Sequence, residues 1–323
     1  MTLHSAALRQ RADKQLDFAA YSPRRLVLIH TAASLGTSLL LTLFNLLFSY
    51  MIAGTSGLSG MGIRSLLQTF QAVLELAVTV ALPFWNIGLV RAALCWARSE
   101  LAAPPSLLEG FRRFRSVAGV KLLTGAVFLA ICIAVSYVGT ALFLLTPFAG
   151  KLTAALTPII EEAGYISPDL LLTDETIAQI GSAAVPLFIF LGALFAAVAI
   201  PVWYRVRFAD FAVMDGSRSL VSLLKSFRIT KKNALQVFKI DLSFWWFYLL
   251  QALSVVLCYG DSILASLGIT LPMSAEAAYI LFYALGIVCQ GLLLWRCQAQ
   301  VSATYALAYE SLSADTPIPN FQT

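Results

Sequence analysis

Charge is scarce in this sequence. Lys, Arg, Asp and Glu supply 12% of 323 residues, about half the share of a soluble domain, so an ordinary water-facing globular surface is excluded. Histidine is nearly absent, with two copies. His4 lies in the N-terminal segment and His30 stands alone at the start of an apolar run. There is no HExxH and no GxSxG, so the usual zinc-hydrolase and serine-nucleophile signatures are missing, and no enzymatic activity is expected. Five cysteines occur (Cys95, Cys132, Cys258, Cys289, Cys297), none in a CxxC pair. Each sits in or beside an apolar run and reads as a small buried hydrophobe, not as part of a disulfide framework or metal site. No cofactor is expected. The polar first 25 residues contain no short apolar core with a small-residue cleavage site, so no secretory signal peptide is expected. The glycine-rich GTSGLSGMG (54–62), read as a flexible connection, lacks the Gly-Lys-Ser/Thr ending of a phosphate loop.

What the chain has is apolar length. Hydrophobic residues make up 59%, the mean hydropathy is +0.81, and several runs exceed the roughly 20 apolar residues that cross a bilayer. The pattern predicts an all-α fold, a polytopic membrane bundle of six transmembrane helices over 26–52, 66–95, 118–147, 180–208, 234–260 and 277–308. A cytoplasmic segment (1–25), one membrane domain (26–312) and a cytoplasmic tail (313–323) complete the division. Pro83 and Pro201 fall inside spans two and four, where they could break them.

Basic residues cluster on one side. Arg9, Arg11, Lys14, Arg24 and Arg25 precede span one; Arg98, Arg112, Arg113, Arg115 and Lys121 follow span two; Arg218, Lys225, Arg228, Lys231 and Lys232 follow span four. Arg64 and Lys151 are alone on the other side. The positive-inside rule then places both termini in the cytoplasm of a plasma membrane, where the net charge of +5 favours anionic lipid head groups. Nucleic acid is a poor partner, because the basic segments are short and pinned to the membrane. The connection 148–177 is acidic (Glu161, Glu162, Asp169, Asp174, Glu175), and its LTAALTPII segment could form a short helix.

One phrase is written twice: SLLEGFR at 106–112 and SLLKSFR at 222–228. In the second, Leu220, Leu223, Leu224 and Phe227 follow the spacing of one helical face, with Asp215, Gly216 and Ser217 as turn and N-cap. In the first, Leu107, Leu108, Phe111 and Phe114 share a side after Pro104 and Pro105. Both are expected to be amphipathic helices in the cytoplasmic interface, with Arg112, Arg113, Arg218, Lys225 and Arg228 available to lipid; packing against the underside of the bundle is the alternative. LPFW (82–85) and IPVW (200–203) precede the two copies, and Trp295 holds a similar place in the last span. A helical hairpin used three times would explain this.

The segment SLLKSFRITKKNALQVFKIDLSFWWFYLL resembles a bacterial integral-membrane family of unknown function (domain of unknown function 975). Ser226, Lys232, Asn233, Leu242, Ser243, Phe244 and Trp246 occupy its signature positions, Asp210 matches its aspartate at the end of the preceding span, and Tyr309, Glu310 and Leu312 match its closing motif. The usual glycine before the asparagine is Lys232 here, and the usual proline-tyrosine before the final helix is missing. The family is similar to membrane modules joined in some bacteria to glycerophosphodiester phosphodiesterase domains; no such catalytic domain is expected in these 323 residues. The resemblance implies a bacterial membrane bundle and supplies no activity.

Ionisable groups within a bilayer are costly and mark candidate sites. Glu75, in the middle of span two, could carry a proton or a cation, or join two helices by hydrogen bonds. Asp241 lies in span five near Lys239. Asn45, Gln71, Gln251 and Gln290 add uncharged polar groups. Asp210, Arg205 and Arg207 form a charged end to span four, expected to be structural. The cluster FWWFY (244–248) reads as packing more than as a ligand cage. Two functions compete: a non-enzymatic envelope protein that binds lipid or a partner membrane protein, and a small transporter or channel subunit with Glu75 as its coupling residue.

Overall fold

The computed structural model describes residues 4–53, 58–162, 174–269 and 272–314. All regular structure among them is helical. The helices are α1 (Ser5–Asp17), α2 (Pro23–Ala53), α3 (Leu58–Ala97), a 3₁₀ turn (Pro104–Leu108), α4 (Glu109–Arg112), α5 (Phe114–Leu144), α6 (Ala149–Glu162), α7 (Asp174–Val206), α8 (Ala209–Met214), α9 (Ser219–Thr230), α10 (Ala234–Ser243), α11 (Trp245–Cys258), α12 (Gly260–Ser266) and α13 (Ala275–Ala314). Residues 54–57 of the glycine-rich connection, 163–173 of the acidic one and 315–323 of the tail lie outside the described residues. LTAALTPII does fall in a helix, α6.

Five helices are long and apolar enough to cross a membrane, and α10 with α11 passes as a sixth span bent by 65°. These helices bury little of themselves: in the span Gly181–Met214 only 6% of the most apolar window is inside the protein. Leu66, Leu122, Phe188 and Ile189 are each at least 66% exposed. Leucine at that exposure across whole helices is a lipid-facing surface, not a soluble core. The chain is therefore a multi-pass integral membrane protein.

That the bent pair crosses follows from connectivity. Arg98, just past α3, bonds both Asp215, just past α8, and Glu310, near the end of α13. Asp215 and Glu310 thus share one end of the molecule. Between them α13 crosses once, so α10 and α11 must make the other crossing.

The chain divides into two compact units, Met1–Lys121 with Arg207–Thr323, and Leu122–Val206. In the smaller, most of α5 and α7 pack through Phe143 on Phe190 and Phe128 on Trp203, with ring centroids 6.0 and 6.1 Å apart. In the larger, α13 is the axis, contacting α1, α2, α3 and α11. The prolines break nothing. α3 runs through Pro83, and α7 through Pro186 and Pro201, because a membrane helix can lose one backbone hydrogen bond where neighbouring turns compensate. The break falls at Phe244 instead. Its ring is fully buried, and the Ser243 carbonyl, which accepts no helical bond across the break, accepts the Arg9 guanidinium at 2.9 Å. Arg9 also lies 4.7 Å over the Phe244 ring. The N-terminal segment is thus a helix that clamps the bend.

The repeated phrase adopts two local structures. The second copy lies in the 12-residue α9; the first is a 3₁₀ turn and a single α-turn. Their burial nevertheless matches. Leu107 and Leu223 are buried, and Leu108 and Leu224 are 47% and 49% exposed. Gly110 presses on the Phe84 backbone, where a methyl group would collide with its carbonyl. At the same place in the second copy, the Ser226 hydroxyl accepts the Phe208 N–H at 3.1 Å. The buried face of α9 is Ser222, Leu223, Ser226, Ile229 and Thr230, which takes only Leu223 from the leucine face. Leu220 and Leu224 remain exposed, because small hydroxyl side chains let α9 approach α8 more closely than leucines would. Arg218, not Ser217, holds the N-cap position, and Gly216 makes the preceding turn at φ +98°, where a side chain would be strained.

Candidate functional site

Three polar centres lie within the larger unit. The first surrounds the bend. Arg207 donates to Asp241 at 3.0 Å, Tyr248 donates at 2.8 Å, and the Tyr305 hydroxyl donates to the same carboxylate oxygen. The Arg207 guanidinium also sits 4.3 Å over the Tyr305 ring. Both ion-pair partners are largely buried, with side chains 19% and 14% exposed. Asp241 was read beside Lys239; its cation is Arg207, because two residues, roughly 200° around a helix, turn Asp241 inward while Lys239 stays exposed. Asp210 receives Lys121 at 2.8 Å. Of the charged end of span four, Arg207 belongs to the bend, while Arg205 closes α7.

The second centre lies past the ends of the spans. Asp215 accepts Arg98 at 2.6 Å, Tyr309 at 3.1 Å and Lys225 at 3.2 Å, and Arg98 also donates to Glu310 at 2.7 Å. Burial raises the Asp215 pKa, but the bonds from Arg98 and Lys225 outweigh it and hold the carboxyl below its ordinary value. Those same carboxylates push the Arg98 pKa up against the opposing effect of its burial. Lys225 was expected to face lipid. It is turned inward, 10% exposed and over the Tyr309 ring, because α9 buries its hydroxyl face. Arg113 is partly drawn in, donating to the Val213 carbonyl at 3.3 Å. Arg112 pairs with Glu109 yet stays 64% exposed, and Arg218 and Arg228 are exposed.

The third centre is Glu75. Its Oε1 accepts Asn45 at 2.9 Å and Gln71 at 3.3 Å, which ties α2 to α3. Gln290 does not join them; it lines a separate cavity of mixed polar and apolar side chains with His30. In FWWFY, Phe244 and Phe247 pack inward while Trp245 is 60% exposed, so no cage forms. Among the described residues no three His, Cys, Asp or Glu side chains are grouped to hold a metal ion.

A surface feature was not legible from single residues. Between α11 and α13 runs an apolar groove of about 720 Å³, lined by Trp246, Leu250, Leu253 and Leu293 and ending at Arg296 and Gln300. The same two residues line a polar pocket of about 720 Å³ with Asp13, Asp17 and Arg24. Gln300 is held there by Asp13 at 2.8 Å. The available signal was Arg296 itself, a lone cation inside the last apolar run.

Comparisons with protein-family models, curated proteins and solved structures find no match for this chain.

Proposed function

We propose that this is a non-enzymatic lipid-binding component of a bacterial plasma membrane, with both termini cytoplasmic. The carrying observation is the apolar groove between α11 and α13 that shares two lining residues, Arg296 and Gln300, with a charged pocket. A phospholipid has this division: acyl chains match the leucine-lined groove, and the phosphate matches Arg24 and Arg296. Asp13 and Asp17 in the same pocket suit a head group that also carries an ammonium, so a zwitterionic aminophospholipid fits better than a purely anionic lipid. Exposed Arg112, Arg218 and Arg228 would add non-specific attraction to the anionic leaflet, worth about 1 kcal/mol per residue near the surface. The family resemblance is compatible with this role.

The test is native mass spectrometry of the full chain from mixed phosphatidylethanolamine and phosphatidylglycerol nanodiscs. Retained phosphatidylethanolamine, lost in Arg296→Glu, supports the assignment. Equal retention of both lipids, or retention unchanged by Arg296→Glu, defeats it.

The bent span favours a second reading, a transporter or channel subunit, since broken helices mark many transport sites. Proton- or cation-dependent flux in liposomes that disappears in Glu75→Gln or Asp241→Asn would establish it; wild-type liposomes without flux would remove it.

A further inference from the structure

The cavity that contains Gln290 lies between α2, α3, α11 and α13, with a volume of about 340 Å³, at the small end of the roughly 300–1,000 Å³ of small-molecule sites. Its lining is unusual for the interior of an apolar bundle. Gln290, Leu294, Gln298 and Ser302 present one stripe of α13 to it, at the four-residue spacing that aligns side chains on a helix face. Gln251 faces them from α11, Asn86 from α3 and His30 from α2. Among the described residues no Asp, Glu, Lys or Arg lines it.

Two of the lining side chains carry an unsatisfied atom, although the His30 ring also hydrogen-bonds the Asn86 side chain. His30 and Thr31 are 8% and 5% exposed, and His30 Nε2 and Thr31 Oγ1 have no hydrogen-bond partner. A buried polar atom left without a partner is destabilising, so this lining holds unspent hydrogen-bonding capacity. His30 is not free to turn away, because its ring stacks on Trp85 at 5.6 Å and Trp85 donates to the His30 carbonyl at 3.1 Å.

We infer that this cavity is a binding site for an uncharged, polyhydroxylated small molecule, a polyol or a sugar ring. Carboxamides, hydroxyls and imidazole each donate and accept, which is what a hydroxyl-rich ligand needs. A charged ligand would find no counter-charge in a poorly solvated site. Phe211 in the lining offers an apolar face to the C–H surface of such a ring. The site is independent of the lipid groove: Gln290 and Gln298 face the cavity, while Cys289, Leu293 and Cys297 face the groove.

The experiment is calorimetric titration of the full chain in nanodiscs with myo-inositol, glycerol and glycerol 3-phosphate. Saturable binding of at least one uncharged probe is expected, weakened at least tenfold in Gln290→Leu, with no saturable binding of glycerol 3-phosphate. Arg296→Glu should leave the uncharged probe's affinity unchanged while removing the retained lipid. If Gln290→Leu fails to fold, Ser302→Ala, which removes only the hydroxyl and adds no bulk to the cavity, must show the loss instead. A cavity that binds neither uncharged probe, binds the phosphate ester as tightly, or is indifferent to the folded variant overturns the assignment.

Discussion

Glu75 and Asp241 both stand in apolar spans, and the protein accommodates them differently. Glu75 is held by two amides, Asn45 and Gln71, on α2 and α3, and among the described residues no cation pairs with it. Asp241 is held by a guanidinium and two phenols that come from past α7, from α11 and from α13. The first arrangement is a bracket between neighbouring helices. The second is a knot that ties together the end of one span, a broken span and the axial helix. A polar group costs most to remove when it leaves an unpaired charge behind, and only the second arrangement can do that.

Asp241→Asn is therefore the largest expected effect. It leaves the largely buried Arg207 guanidinium without its counter-charge, a change that costs about 3–5 kcal/mol. Thermal unfolding of the purified protein in detergent should show a large fall in Tm. If Asp241→Asn costs no more than Glu75→Gln, the distinction between bracket and knot collapses.

A carboxylate outside the spans provides an intermediate case. Arg98→Met removes charge-assisted bonds to Asp215 and Glu310, each worth about 1.5–3 kcal/mol, but the site is partly open to solvent, so a loss of about 2 kcal/mol is expected. The site also has a pH signature. The Asp215 pKa is lower in the folded protein than its ordinary 3.8, so its contribution is present above 3.8 and lost as pH falls through the lower folded value. Stability followed by chemical denaturation should fall in that acidic window for the wild type, and less steeply for Arg98→Met, which has already lost the main cause of the shift.

The spans and the intramembrane polar residues were readable from the sequence because run length and residue type are local properties. Their partners were not. Asp241 is two residues from Lys239, yet its cation is Arg207, 34 positions away; Asp210 is close to two arginines in sequence and pairs with Lys121. The prolines suggested breaks in the wrong spans, because a membrane helix tolerates one missing N–H, whereas the bend at Phe244 depends on Arg9 from a segment read as a mere tail. SLLKSFR gave a helix but only part of its buried face: leucine spacing identifies apolar residues, and α9 buries Ser222, Ser226 and Thr230 beside Leu223 and Ile229. The stripe Gln290, Gln298, Ser302 was visible as spacing, but only the fold shows that it meets His30.

Tyr305→Phe sharpens the comparison inside the knot itself. It deletes one hydroxyl donor to Asp241 while leaving Arg207 and Tyr248 in place, so the carboxylate stays paired. A cost of about 1.5 kcal/mol is expected, read as a Tm loss less than half that of Asp241→Asn. A loss as large as that of Asp241→Asn would mean that the phenol, not the ion pair, holds the bend.

Glu75→Gln is the smallest expected effect. The glutamine carbonyl can still accept from Asn45 in the same shape, so stability should change by less than about 0.5 kcal/mol. Glu75→Leu should cost about 1–3 kcal/mol, because it strands the Asn45 and Gln71 amides. That ordering follows if Glu75 serves as a hydrogen-bond acceptor. A glutamate whose charge or proton is itself the function behaves oppositely: Glu75→Gln folds normally and loses proton-dependent flux completely. Measuring Tm and liposome flux on the same Glu75→Gln preparation separates the bracket from the coupling residue, because only the second loses transport while the fold stays intact.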